Sequence, residues 1–225
     1  MSVTPLNRNQ IAWRAAQDLE NGQYVNLGLG MPVLSANYAP GDREIMFQSE
    51  NGIVGVGPVA TPEQEDPDFV DAGSQFITLN QGASLADSTH AFAMIRGGHI
   101  DVTLLGGFEV SPNGDLANWD ALVPNKGPLV GGAMDLASGA KSVRVVMAHV
   151  NRDGTPRLVE KCSYPETGFG CVDRVYTSLA VIDITPDGFL AVEILDGLSR
   201  EDLQAQTGAP LAFAPDCGVL TTPDL

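Results

Sequence analysis

Basic residues are scarce in this chain: 12 Lys and Arg stand against 28 Asp and Glu, a formal net charge of −16 over 225 residues. That field repels polyanions, so neither nucleic acid nor an anionic membrane surface is an expected partner. Cysteine is scarcer still. Cys162, Cys171 and Cys217 are odd in number and lack Cys-x-x-Cys spacing, which argues against a disulfide framework and a structural zinc site and leaves buried or indifferent thiols. His90, His99 and His149 have no partner at metal-ligand spacing along the chain, so no metal is expected. No apolar run reaches the roughly 18 residues of a membrane-spanning helix, and Met1-Ser2-Val3-Thr4-Pro5 has neither the basic nor the apolar region of a signal peptide. A cytoplasmic protein is the expectation.

What is present is globular: 44% hydrophobic and 18% charged residues, in a chain long enough for one sizeable core. A single domain over residues 1–225 is expected, with its core from residue 6 to 211 and a flexible tail over 212–225, where no periodicity is visible. Ile11, Ala12, Ala15, Ala16 and Leu19 recur at helical spacing, predicting a helix over 7–21 with Gly22 as its stop. The β run 24–29 ends in Gly28-Leu29-Gly30-Met31-Pro32, and Pro32 suits the first turn of a helix through Tyr38. Further strands are predicted at 44–47, 76–79, 100–105 and 143–148, and helices at 87–96 and 134–140, the former burying Ala91, Phe92, Met94 and Ile95. Runs 178–184 and 189–195 flank the turn Thr185-Pro186-Asp187-Gly188 as a hairpin, and Ser199 caps a last helix ending by Gly208. Alternating strand, turn and helix signals predict an α/β fold: an open, mostly parallel twisted sheet flanked by helices.

The stretch from Gln48 to Pro58 is the one to explain. A β run delivers Glu50, between Ser49 and Asn51, into a segment with Gly52, Gly55 and Gly57, where the backbone is free to take positive φ and lie close to a ligand. The strand, glycine turn and helix start at Gly28, Gly30 and Pro32 form an anion-friendly arrangement. From spacing alone, two readings of Glu50 stand: a solvated turn carboxylate, since turns favour Ser, Asn and Gly for backbone reasons, or a carboxylate held for chemistry.

Ser49-Glu50-Asn51-Gly52 resembles the signature of the B (β) subunit of family I coenzyme A transferases. Segments 25–32, 94–101, 114–119 and 131–136 are similar to family segments in the same order, so the resemblance runs from about residue 6 to 211. It implies a coenzyme-A-transferase or sugar-phosphate-isomerase-like fold, with Glu50 as the nucleophile that carries a glutamyl thioester to coenzyme A. Asn26 is then close to the glutamate, or else caps the glycine turn. Ser49, Asn51 and Gly52 support the turn, while Gly28, Gly30, Gly55 and Gly57 wall the coenzyme A and substrate loop. The amides of Gly131, Gly132 and Ala133 line the acyl site, or simply begin a helix. The resemblance further implies that coenzyme A is a substrate with no separate cofactor, and that an A (α) subunit completes the site in an α2β2 assembly. It points to transfer from succinyl-CoA to a 3-oxo acid, 3-oxoadipate ahead of acetoacetate. Two departures bear on specificity: Ser74 stands where many such subunits carry lysine, and the loop 82–87 lacks the usual aromatic residue. A short-chain acetate- or butyrate-type transferase, an isomerase using Glu50 as a base, and a non-catalytic subunit are the alternatives.

Overall fold

The structure, a computed structural model, describes residues 3–124 and 127–225. Met1 and Ser2, the start of the stretch read for a signal peptide, lie outside the described residues.

Strands β1 (Tyr24–Leu27), β2 (Met46–Ser49), β3 (Ile53–Val59), β4 (Ile77–Leu85) and β5 (Val102–Gly106) come first. The pair β6 (Glu109–Val110) and β7 (Leu116–Ala117) forms a small separate ribbon. Then follow β8 (Ser142–Val146), β9 (Val172–Tyr176), β10 (Ala180–Thr185), β11 (Gly188–Leu195) and β12 (Leu211–Leu220). Ten of these make one sheet in the order β12-β11-β10-β9-β8-β5-β1-β2-β3-β4. Its centre, β2-β1-β5-β8-β9, is parallel throughout, while β3, β4 and β10 join antiparallel at the flanks. A parallel sheet must bury both faces, and it does. Helix α1 (Arg8–Gln17) covers one face through Ile11 and Ala15, packed with Val25, Phe47 and Val102. Helices α2 (Ser88–Arg96), α3 (Ala133–Gly139) and α4 (Arg200–Ala205) cover the other through Ile95, Leu136 and Leu203, against Leu105, Val143 and Val145.

Local chemistry sets the ends. The Asn7 side chain accepts from the Gln10 amide in a capping box, and Asp87 and Ser199 cap α2 and α4 likewise. Helix α1 stops at Asp18, short of Gly22, because the carbonyls of Gln17 and Leu19 accept from Arg43 and that of Asp18 from Arg144. The segment from Pro32 to Tyr38 is a 3₁₀ helix. Phe92 and Met94 are only half-buried, so α2 buries Ala91 and Ile95 alone. All three cysteines are free, and burial pushes Cys162 up to about 12 and Cys171 to about 11.

Two expectations are corrected. The tail was expected to be flexible over 212–225, but Leu211–Leu220 is the edge strand β12, parallel to β11, and Asn7 and Gln10 donate to the carbonyls of Leu225 and Pro223 beyond it. Gly55 and Gly57 do not wall a ligand loop: they lie within β3, where β4 crosses close by. A Cβ on Gly55 would sit 2.9 Å from the Ala83 Cα, and one on Gly57 2.6 Å from the Thr78 hydroxyl.

Candidate active site

Glu50 opens the three-residue loop of the β2–β3 hairpin. Ser49 pairs with Ile53, the Gly52 amide donates to the Ser49 carbonyl at 3.0 Å, and Gly52 takes φ +118°. Hairpin loops of this length place glycine at the positive-φ position. Gly52 is doubly constrained, because a Cβ there would overlap the Ala86 carbonyl oxygen. Ser49 and Asn51 pin a neighbouring loop: the Ser49 hydroxyl accepts from the Ala72 amide at 3.0 Å, and the Asn51 amide donates to the Val70 carbonyl at 2.8 Å. That loop turns on Asp71, whose carboxylate accepts from the Gly73 and Gln75 amides, and carries Ser74, exposed and at φ +64°.

The Glu50 carboxylate opens into a cavity of about 390 Å³ at the C-terminal ends of β1, β5 and β8. Its walls are largely apolar, from Leu29, Met31, Leu105, Phe108, Leu136 and Met147, with backbone from Gly28, Gly106, Gly107, Gly131, Gly132 and Ala133. Gly28 allows a close crossing, since a Cβ would lie 3.0 Å from Leu105 Cδ2 and 3.1 Å from the Leu104 carbonyl oxygen. Gly132, the residue before α3, lies directly against Glu50: a Cβ there would overlap Oε2 and come 3.0 Å from the Phe92 ring. Its φ is −75°, so proximity and not conformation requires glycine. Burial pushes the Glu50 carboxyl above the usual glutamate value; the Gly132 amide pulls it down, and the Asp135 charge adds to the rise.

The structure thus brings Glu50, Gly28, Gly131, Gly132 and Ala133 together, and leaves Gly30, Gly55 and Gly57 off the cavity wall. Asn26 is beside the site but turned elsewhere. It is in register with Gln48 on β2 and Thr103 on β5, and its amide donates to the Gln48 side chain at 2.6 Å, with no hydrogen bond to Glu50. Asn26 Oδ1, Gln48 Nε2 and Thr103 Oγ1 are buried without a hydrogen-bond partner among the described residues, a polar row beneath the turn. Two lining side chains escaped the sequence reading. Asn118 donates to the Gly106 carbonyl at 2.9 Å and accepts from the Thr167 hydroxyl at 2.6 Å; Arg157 reaches in from the loop between β8 and β9. Neither sits in a local motif, so no signal in the chain marks them. Trp119, left open between core and partner surface, is half-buried and donates to the Glu166 carbonyl at 3.2 Å.

Residues 8–205 match the family model described as Coenzyme A transferase. The B subunit of the 3-oxoadipate CoA-transferase of Acinetobacter baylyi is 47% identical over 214 residues, covering 95% of this chain and 99% of its own.

The chain belongs to the coenzyme A transferase family.

A second relative of the family, the B subunit of a probable succinyl-CoA:3-ketoacid coenzyme A transferase of Bacillus subtilis, is 46% identical over 208 residues, 92% of this chain and 95% of its own. The acyl-CoA transferase YdiF of Escherichia coli O157:H7 has the same fold, with a TM-score of 0.73 at 18% identity over 98% of this chain and 44% of its own. The coenzyme A transferase fold expected from the sequence is therefore the fold observed. No helix among the described residues is long and apolar enough to cross a membrane.

Proposed function

We propose that the chain is the B subunit of a coenzyme A transferase moving coenzyme A from succinyl-CoA to a 3-oxo acid, 3-oxoadipate ahead of acetoacetate, with Glu50 as the nucleophile. The observation that carries the proposal is a half-buried carboxylate held on a tight hairpin loop against the Gly132 amide, in a cavity otherwise walled by apolar side chains and glycine backbone.

The chemistry suits a carboxylate. Glu50 attacks the thioester carbonyl, the carbon–sulfur bond breaks, and a mixed anhydride and coenzyme A thiolate result. The thiolate then attacks the Glu50 carbonyl of the anhydride, expelling succinate and leaving a glutamyl thioester. The second acid reverses both steps with its own carboxylate, so no redox step and no resident cofactor is required. Gly132, with Gly131 and Ala133 beside it, supplies backbone amides toward the oxygen that becomes negative in each addition, the kind of donor worth about two to three orders of magnitude in rate. Apolar walls limit hydrolysis of anhydride and thioester.

An A subunit completes the assembly in this reading, two copies of each. Two features favour a covering partner: Leu129 and Val130, beside Gly131 at the cavity mouth, are 72% and 77% exposed, and the relatives are themselves named as one subunit of a two-subunit pair, the B member. The test is the intact mass of the chain, co-purified with its A partner, after succinyl-CoA. A coenzyme A adduct, released by hydroxylamine and absent in Glu50→Ala, is expected; an adduct on another residue, or none under turnover, would reject Glu50.

A further inference from the structure

Arg157 takes no part in the steps above, yet it is the one cationic side chain, among the described residues, that lines the Glu50 cavity. Its guanidinium is fixed from two sides. Nε donates to Asn151 Oδ1 at 2.8 Å and Nη1 to the Gly107 carbonyl at 3.3 Å. Both acceptors are neutral, and Nη2 makes no hydrogen bond among the described residues. Every ion pair of the described residues involves other cations: Arg14, Arg96, Arg174, Lys141 and His90 each meet a carboxylate, and Arg157 meets none.

A half-buried guanidinium without a counter-ion is costly, and acidic residues are plentiful in a chain of net charge −16. Acid side chains are kept away from this one cation while two hydrogen bonds hold its plane steady. Burial accordingly pulls its affinity for the proton below that of an ordinary arginine. A ligand carboxylate is the partner such a fork suits, by charge and by the parallel donors of Nη2 and Nη1. The wall between the two charged ends is apolar, with Leu105, Val146 and Met147 suited to methylene groups.

We infer that Arg157 is a specificity-determining residue that receives the distal carboxylate of a dicarboxylic acyl group while the acyl carbon lies at Glu50. The inference rests on the transfer reading and deepens it: succinyl and 3-oxoadipyl groups carry that second carboxylate, and acetoacetyl does not. Selectivity for the dicarboxylic substrates then comes from pairing a charge that is otherwise buried alone.

The test compares single-turnover formation of the coenzyme A adduct from succinyl-CoA and from acetoacetyl-CoA, in the complex with the A partner. Arg157→Gln is expected to slow the succinyl-CoA reaction by about 100-fold and to leave acetoacetyl-CoA within about threefold. Arg157→Lys, a point charge without the fork, is expected to fall between, and carries the same comparison if Arg157→Gln does not fold. Equal losses with both donors would place Arg157 in coenzyme A recognition or in folding and overturn the inference, as would no loss with either. Wild-type protein that forms no adduct from either donor rejects the transfer reading itself, a result distinct from adducts formed without selectivity.

Discussion

At the N-terminal rim of the parallel strands Asp18 accepts from Arg14, Arg174 and Tyr176 at 2.7, 2.8 and 2.7 Å, while Arg174 also pairs with Asp183 and Arg14 with Glu193. At the opposite rim Glu50 and Arg157 share a cavity, and neither has an oppositely charged partner among the described residues. Burial acts on both carboxylates, yet with opposite outcomes. It pushes Asp18 up too, but three donors hold that carboxyl below the usual value, whereas the amide facing Glu50 does not offset burial and the nearby charge of Asp135. The N-terminal rim also has the larger cavity, about 830 Å³ against 390 Å³, so volume does not distinguish the site. Charges that answer one another hold a fold together, and charges left open are free for a ligand.

Exchanging the treatment of the two carboxylates separates stability from activity. Glu50→Gln is expected to abolish transfer, by about 10³-fold or more in kcat, with a melting temperature close to wild type because no ion pair is lost. A variant that keeps a tenth of the activity would break the comparison. Gly132→Ala is next: the added methyl overlaps the carboxylate, and a misplacement of this size is expected to cost about 100-fold in kcat with little change in KM. Asp18→Ala should do the reverse, lowering stability by about 2 kcal/mol by denaturant unfolding and leaving kcat/KM of the folded complex unchanged. Its acid dependence has a definite sign. A depressed carboxyl stabilises the fold above its unfolded pKa and loses that contribution as pH falls through the folded value, so wild type should weaken with acid more than Asp18→Ala does.

Much of this was legible along the chain. The caps at Asn7, Asp87 and Ser199, the hairpin at Thr185–Gly188, and the carboxylate on its turn follow from local rules, because the residues that decide them are neighbours. Gly55 and Gly57 were misread because glycine marks both a turn and a close crossing, and only the fold brings Ala83 and Thr78 against β3. Strand β12 was hidden for a related reason. Its pairing with β11 shifts register between Phe213 and Gly218, around Ala214-Pro215-Asp216-Cys217, so Pro215 sits in an irregularity on an edge strand, one place where proline is tolerated. Asn26 turns to Gln48 because parallel register makes them immediate neighbours. Arg157 was invisible, since a long connection between β8 and β9 carries it to the cavity.

Asp135 offers the finest test of the contrast between the two rims. It lies in the first turn of α3, and its charge is the last of the three influences on Glu50, after burial and the Gly132 amide. It is also half neutralised by Arg96, whose Nε donates to it at 2.6 Å on the surface. Asp135→Asn should therefore lower the Glu50 pKa by only a few tenths of a unit, about 0.3 to 0.5. Since the ionised form attacks, the acid limb of kcat/KM should move to lower pH by that amount, with the plateau at high pH unchanged. Raised salt should move the wild-type limb the same way, by screening Asp135, and should leave the variant where it is. A limb that moves upward, or that responds to salt equally in both proteins, would assign it to another group. The limb of Asp135→Asn should still lie above an ordinary glutamate, because burial, the largest of the three, is untouched by the substitution.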